Sequence, residues 1–372
     1  MSRYNSEILC KFALDFEHQN MTLFFELLQV ALGRRDALSR MPTEKEWGSL
    51  FVDAHRQAML GILFCGIEQL PAEQRPTGSL LRRWIAFVQR IEERNAKWDA
   101  RSLTVLKKLS DLGLRATILK GQGLARLYGE MGKRRHCGDI DVFVDGGAKN
   151  ALQKTSSLRG ETYDYKHAEL QLWDNTEVEM HYRPEFIYSL SRNHRLQKWF
   201  ATHNEELFHV DGEWVTPSPE MNLFYILLHI YRHFFYQGVG MRQIVDYYFV
   251  LKNYNCQQTS AGKDACMTAV KTIGMEPFAR GLMWVMGEVL TMPREWMPWE
   301  PDEREGRFIL ASVMKDGNFG LQYERHSRLK GNAGKMLRTL RHHLHLLRRY
   351  PVEVLSAPWW MIYLRLWKLC PK

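Results

Sequence analysis

Gly138-Asp139-Ile140-Asp141-Val142-Phe143-Val144 is the stretch on which the reading of this 372-residue chain turns. It alternates strictly, with Ile140, Val142 and Val144 on one face and Asp139, Asp141 and Phe143 on the other, which is the pattern of a strand. Period-two geometry then sets both carboxylates on one face, a few ångströms apart. Two unpaired like charges at that distance repel, and one tends to stay protonated. A divalent cation removes the conflict, because Mg²⁺ favours oxygen ligands and binds one or two carboxylates together with phosphate oxygens. An Asp-x-Asp pair on its own is a weak signal, so the surrounding order has to carry the argument.

Upstream, Arg115–Leu119 is a short apolar stretch that ends in Lys120-Gly121-Gln122-Gly123. A short helix through Leu124–Tyr128 and a basic loop (Lys133, Arg134, Arg135) lead back to the acidic strand. Downstream, Ala168–Trp173 and Thr176–Tyr182 read as two strands about Asp174-Asn175, a two-residue hairpin turn. The second of these strands offers Glu177, Glu179 and His181 on one face. Glu179 is preferred as the third carboxylate, being central and farther from the turn. Another small hairpin is expected at Asp211-Gly212.

Helices flank this unit. Met21–Leu32, Trp47–Gln69 and a long charged helix from about Leu80 to Leu112 carry apolar residues at three- and four-residue spacing. Ser218-Pro219 suit an N-cap and first helical position, Met221–Phe235 is apolar nearly all round, and Met241–Asn253 follows a Gly238-Val239-Gly240 break. The expected architecture is α+β: an N-terminal helical region (1–112), a small mixed-sheet α/β core (113–216) and a C-terminal helical region with a basic tail (217–372).

Leu119-Lys120-Gly121, Arg135, the Gly138–Val144 strand and Val178-Glu179-Met180-His181, in that order, resemble the bacterial uncharacterised nucleotidyltransferase family, a branch of the DNA polymerase β-like superfamily. Gly238–Asp246 and Gly317-Asn318-Phe319-Gly320 belong to the same resemblance. It implies transfer of a nucleoside monophosphate from an NTP to an acceptor hydroxyl with release of pyrophosphate. Mg²⁺ (or Mn²⁺) would be held by Asp139, Asp141 and Glu179, and Glu179 would serve as metal ligand or general base. Lys120 and Arg135 are the cationic candidates for the triphosphate. The serine that commonly follows the glycine in that superfamily is absent; Gln122, or the backbone amides of Gly121 and Gly123, would stand in. The acceptor class stays open among a small molecule, a saccharide, a protein or RNA, with DNA not expected. The alternatives are a scaffold that kept the fold but lost turnover, and a peripheral membrane module working through the tail.

Charge placement bears on the partners. Residues 328–372 hold ten Lys or Arg and one acid, Glu353, which leaves 41 basic and 41 acidic residues in the rest. A neutral body argues against a nucleic-acid-binding surface there. In the tail, Met336, Leu337, Leu340, Leu344 and Leu347 form a helical stripe, and a tryptophan-rich segment follows Pro351. The simpler reading packs both on the body with a basic face to water; the other lays residues 333–369 on a membrane surface. His229 and His233 share a helix face but lack the Glu of a His-Glu-x-x-His zinc site, so they read as histidines lining a cleft. Arg242 and Asp246, also four apart, suit a helix-surface ion pair; the family resemblance implies, as a secondary reading, a role in orienting nucleotide or acceptor. The opening MSRYNSEILCKFALDF lacks a signal-peptide layout. The six cysteines are scattered and no run reaches the roughly 18–20 apolar residues of a membrane span, so a cytoplasmic protein is expected.

Overall fold

Thr43 opens a helix with a reciprocal cap: its hydroxyl accepts from the Glu46 amide while the Glu46 carboxylate accepts from the Thr43 amide, satisfying two otherwise orphan donors. The computed structural model describes residues 21–236, 238–256, 262–316 and 342–369. Gly317–Gly320 and the stripe residues Met336, Leu337 and Leu340 lie outside the described residues.

The N-terminal part comprises α1 (residues 21–31), α2 (Glu44–Arg56), α3 (Leu60–Gln69) and α4 (Gly78–Asp111). The stretch read as continuous over Trp47–Gln69 is two helices, parted at Gln57–Met59, where Ala58 takes a left-handed φ of 55°. The 34-residue α4 ends before Gly113, whose φ of 67° turns the chain into the sheet. Midway along α4, the Asn95 side-chain amide donates to the carbonyls of Lys133 (2.8 Å) and Arg135 (2.7 Å). The segment entering the acidic strand is thereby fixed to the helix.

The sheet contains β1 (Ala116–Ile118), β2 (Ile140–Val144), β3 (Arg159–Tyr163), β4 (His167–Leu170) and β5 (Val178–His181), in the order β1-β2-β5-β4-β3. It is mixed: β2 and β5 are parallel and the other pairs antiparallel. The fold is therefore α+β. Ile140, Val142, Val144, Val178 and Met180 are fully buried, so one face of the β2–β5 pair is sealed into the core and its polar face is left for the site. Parallel pairing sets Asp141 directly beside Glu179.

The hairpin expected around Asp174-Asn175 is not a two-residue turn, because β4 and β5 are shorter and residues 171–177 connect them. The strands splay there: the Gln171 amide bonds the Leu158 carbonyl on the β3 side, whereas the Glu177 carbonyl accepts from Ile140 on the β2 side. Arg101 of α4 holds Asn175 and Thr176 between them. The edge strand β3 has no expectation to match it. Arg-Gly-Glu-Thr-Tyr shows none of the apolar alternation by which a half-buried strand is recognised.

β6 (His209–Asp211) and β7 (Trp214–Thr216) form the hairpin expected at Asp211-Gly212, with Gly212 at φ 62°. Along the chain, α5 (Gly121–Ala125) follows β1, α6 (Gly147–Lys154) follows β2, and α7 (Leu190–Thr202) lies between β5 and β6. The Ser218 hydroxyl caps α8 (Pro219–Tyr236), which is buried almost throughout and packs with α9 (Met241–Cys256). α10 (Lys263–Thr272), α11 (Glu276–Leu290), α12 (Glu303–Asp316) and, after a helical turn over 342–347, α13 (Pro351–Leu369) complete the described chain. No helix among the described residues is long and apolar enough to cross a membrane.

Candidate active site

A cavity of about 580 Å³ opens on the polar face of β2 and β5, with α8 and α9 forming its far wall. Its floor carries Asp139, Asp141 and Glu179, each able to offer one oxygen within 4.8 Å of the others. Asp139 lies just before β2, Asp141 within it, and Glu179 beside Asp141 on β5. Glu177, immediately before β5, is exposed and outside this group.

The three carboxylates differ because their neighbours differ. Asp141 is buried, which alone would raise its carboxyl, but the Lys120 ammonium at 2.7 Å and the His181 Nε2 at 2.7 Å hold it well below the usual range. Burial also opposes ionisation of Glu179, yet the His181 hydrogen bond (3.2 Å) brings its carboxyl down to about 2. Asp139 goes the other way. The charge of Asp141, then burial, push it up to about 6. The like-charge conflict anticipated for an Asp-x-Asp strand is thus present and falls on Asp139.

A second set of side chains faces this floor. Lys166, immediately before β4, and His229 and Arg232 of α8 converge on Glu185, with Arg232 Nε at 2.7 Å, His229 Nδ1 at 3.1 Å and Lys166 Nζ at 3.7 Å. Glu185 is fully buried, and these partners hold it well below the usual carboxylate range against the effect of burial. Burial, followed by the charge of Arg232, brings the Lys166 ammonium down to about 8. None of Lys166, Glu185 and Arg232 stands in a motif, and the partners of Glu185 are 19 to 47 residues away along the chain. In the sequence His181 shares a strand face with Glu179 and closes the Val178–His181 part of the family resemblance without a role of its own, and nothing there marks His167. These two also form a potential metal-ligating group with Glu179.

The remaining residues picked from the sequence divide. Lys120 and Gly121 line the cavity, and Gly121 has a φ of 44° that favours glycine. Gln122 is buried and does not line it. Gly123 packs on the sheet, where an added Cβ would come within 3.2 Å of the Ile118 carbonyl. Arg135 lines the cavity, but its Nε and Nη2 grip Asp246 at 2.6 and 2.7 Å and its Nη1 reaches Cys137 Sγ at 3.0 Å. Asp246 also accepts from Tyr128 at 2.6 Å, so it is a buried anchor rather than a helix-surface ion-pair partner. Arg242 lines the cavity and donates to the His136 carbonyl. His229 and His233 line the same wall, and burial holds both rings neutral, His229 down to about 3.

Three hard oxygen donors, close enough together to share a cation, thus face the buried cations Lys166 and Arg232 across one cavity. The chain belongs to the uncharacterised nucleotidyltransferase family, whose model matches residues 43–291. No curated protein and no solved structure matches it.

Proposed function

We propose that the chain is a metal-dependent nucleotidyltransferase that moves a nucleoside monophosphate from an NTP to an acceptor hydroxyl with release of pyrophosphate. The observation that carries this reading is the cluster of Asp139, Asp141 and Glu179 on the cavity floor. Its donor set fits Mg²⁺ or Mn²⁺: all oxygen, closely spaced, and with one carboxyl forced upward by its neighbour's charge. When bound, the metal would supply Lewis-acid stabilisation of the phosphoryl oxygens and of the leaving group.

The chain's own groups take separate parts. Asp139, Asp141 and Glu179 would hold the cation. Glu179, at about 2, suits a ligand better than a general base, whose range should lie nearer the working pH. His181 orients Asp141 and Glu179 from behind through its Nε2. Lys120 and Lys166 would face phosphate oxygens, with Gly121 allowing close backbone approach. Arg135 would keep α9 and the strand entry in register through Asp246. The acceptor would offer a hydroxyl of a small molecule, a saccharide, a protein or RNA.

Titration calorimetry with each of the four NTPs, with and without Mg²⁺, tests this beside Asp139→Ala/Asp141→Ala. Metal-dependent binding of an NTP, lost in the double variant, is the expected result. Failure of the wild-type protein to bind any NTP would overturn the reading in favour of a scaffold without turnover.

A further inference from the structure

α13 has two faces of opposite character. Inward, Trp360 stacks on Phe186 (4.9 Å between ring centroids, 11° between planes) and meets Tyr165 edge-on, while Trp367 packs against Tyr163 and Tyr165. The helix's one acid, Glu353, is buried and accepts from the Tyr188 amide and from Arg192. Outward, Val352, Leu355, Trp359, Ile362 and Leu366 are each 44–65% exposed. Their spacing of three, four, three and four residues makes one continuous stripe along the helix. Such a helix is expected to bury its apolar stripe in the core; this one buries its tryptophans at 360 and 367 and leaves a second stripe in water.

The charges beside that stripe are of one sign. Arg365 and Lys368 are exposed, neither is paired with an acid among the described residues, and no exposed acid lies on α13. A stripe built to pair with its own copy is ordinarily flanked by charges of both signs that can bridge across the seam. An apolar stripe with a tryptophan and cations alone is what an anionic bilayer surface favours: rings at the headgroup level, basic side chains among the phosphates. We propose that α13 docks the protein on an anionic lipid surface, lying in its plane with Leu355, Trp359 and Ile362 inserted. Phe186, on which Trp360 stacks, also lines the site cavity. The inner face of α13 is therefore one side chain, Phe186, from the cavity, and the docking stripe lies on the opposite side of the same helix.

The inference does not depend on nucleotidyl transfer. It is tested by co-sedimentation of the full chain with phosphatidylcholine vesicles, with and without phosphatidylglycerol. The expected result is salt-sensitive binding that requires the anionic lipid. Leu355→Ser/Trp359→Ser/Ile362→Ser should weaken it at least about tenfold with an unchanged circular dichroism spectrum. Arg365→Gln/Lys368→Gln should weaken it about fivefold per charge. Absence of binding to anionic vesicles, or equal binding by the triple-serine variant, overturns the proposal. So does a self-association seen by sedimentation velocity that the serine variant abolishes while no vesicle binding occurs, which would give the stripe to a second copy of the chain.

Discussion

The floor and the wall of the cavity are both built on acids, and they use them in opposite ways. On the floor, Asp139, Asp141 and Glu179 crowd together, and part of the Glu179 side chain (21%) is open to solvent. Behind the wall, Glu185 has no exposed surface and is ringed by Lys166, His229 and Arg232, which line the cavity. Acids gathered beyond their counter-charges store repulsion that a cation can relieve, which is the condition of a binding site. An acid matched by its neighbours stores none and locks the elements that bring them. Residue type is the same in both places; the ratio of cations to carboxylates separates a site from a joint.

Substitutions sharpen that contrast. The largest effect is expected on the floor: Asp141→Asn should reduce nucleotidyl transfer by about three orders of magnitude, the scale of removing a principal electrostatic stabiliser. Pyrophosphate release at saturating NTP and Mg²⁺ measures it, and retention of full activity would sink the assignment. Glu185→Gln should instead appear in stability, because it strands Arg232 and Lys166 without their buried counter-charge. Breaking a buried pair on one side costs about 3–5 kcal/mol, read from denaturant unfolding. Its pH dependence has a definite sign. The folded-state value of Glu185 is depressed, so its stabilisation is full above the unfolded value of about 4.3 and is lost as pH falls through the folded value. Wild-type stability should thus fall more steeply below about pH 4 than that of Glu185→Gln. Equal slopes would break the comparison.

His181 lies between floor and wall in effect. Its Nε2 reaches both Asp141 and Glu179, and removing such an outer partner typically lowers metal affinity 10–100-fold. Mn²⁺ titration of His181→Gln should fall in that range, with a smaller stability loss than Glu185→Gln. The sequence is legible up to about this point. Asp139 and Asp141 are visible because a strand's period is two and the chain is contiguous there; Lys120 and Gly121 are visible because a glycine turn follows a short apolar run. Glu185 is not legible. It acquires meaning only when Lys166, His229 and Arg232 arrive from separate elements, and no local period encodes that meeting. Arg135 shows the converse: its basic run suggested phosphate contact, whereas the tertiary fold holds its guanidinium against Asp246 and Cys137. The outer stripe of α13 was likewise written in the spacing of Leu355, Trp359 and Ile362. Which of two apolar stripes faces the body depends on Phe186 and Tyr165, far off in the chain.

The smallest expected effect is the most specific test of register. Glu177 stands immediately before β5 and Glu179 within it, two residues apart, so alternation assigns both to one face and cannot choose between them. A slip of two residues would exchange them without moving any apolar side chain to the wrong side. The observed pairing chooses: Asp141 stands beside Glu179, while Glu177 contributes its carbonyl to the Ile140 amide and leaves its carboxylate exposed. Glu177→Gln should therefore leave activity within about twofold and stability within about 0.5 kcal/mol, as for ordinary surface positions. Glu179→Gln should lower metal-dependent activity by about two orders of magnitude. Parallel assays of the two variants at several Mg²⁺ concentrations separate them. Excess metal should partly restore Glu179→Gln and change nothing in Glu177→Gln; equal loss in both would mean that the β2–β5 register, and with it the third carboxylate, is misassigned.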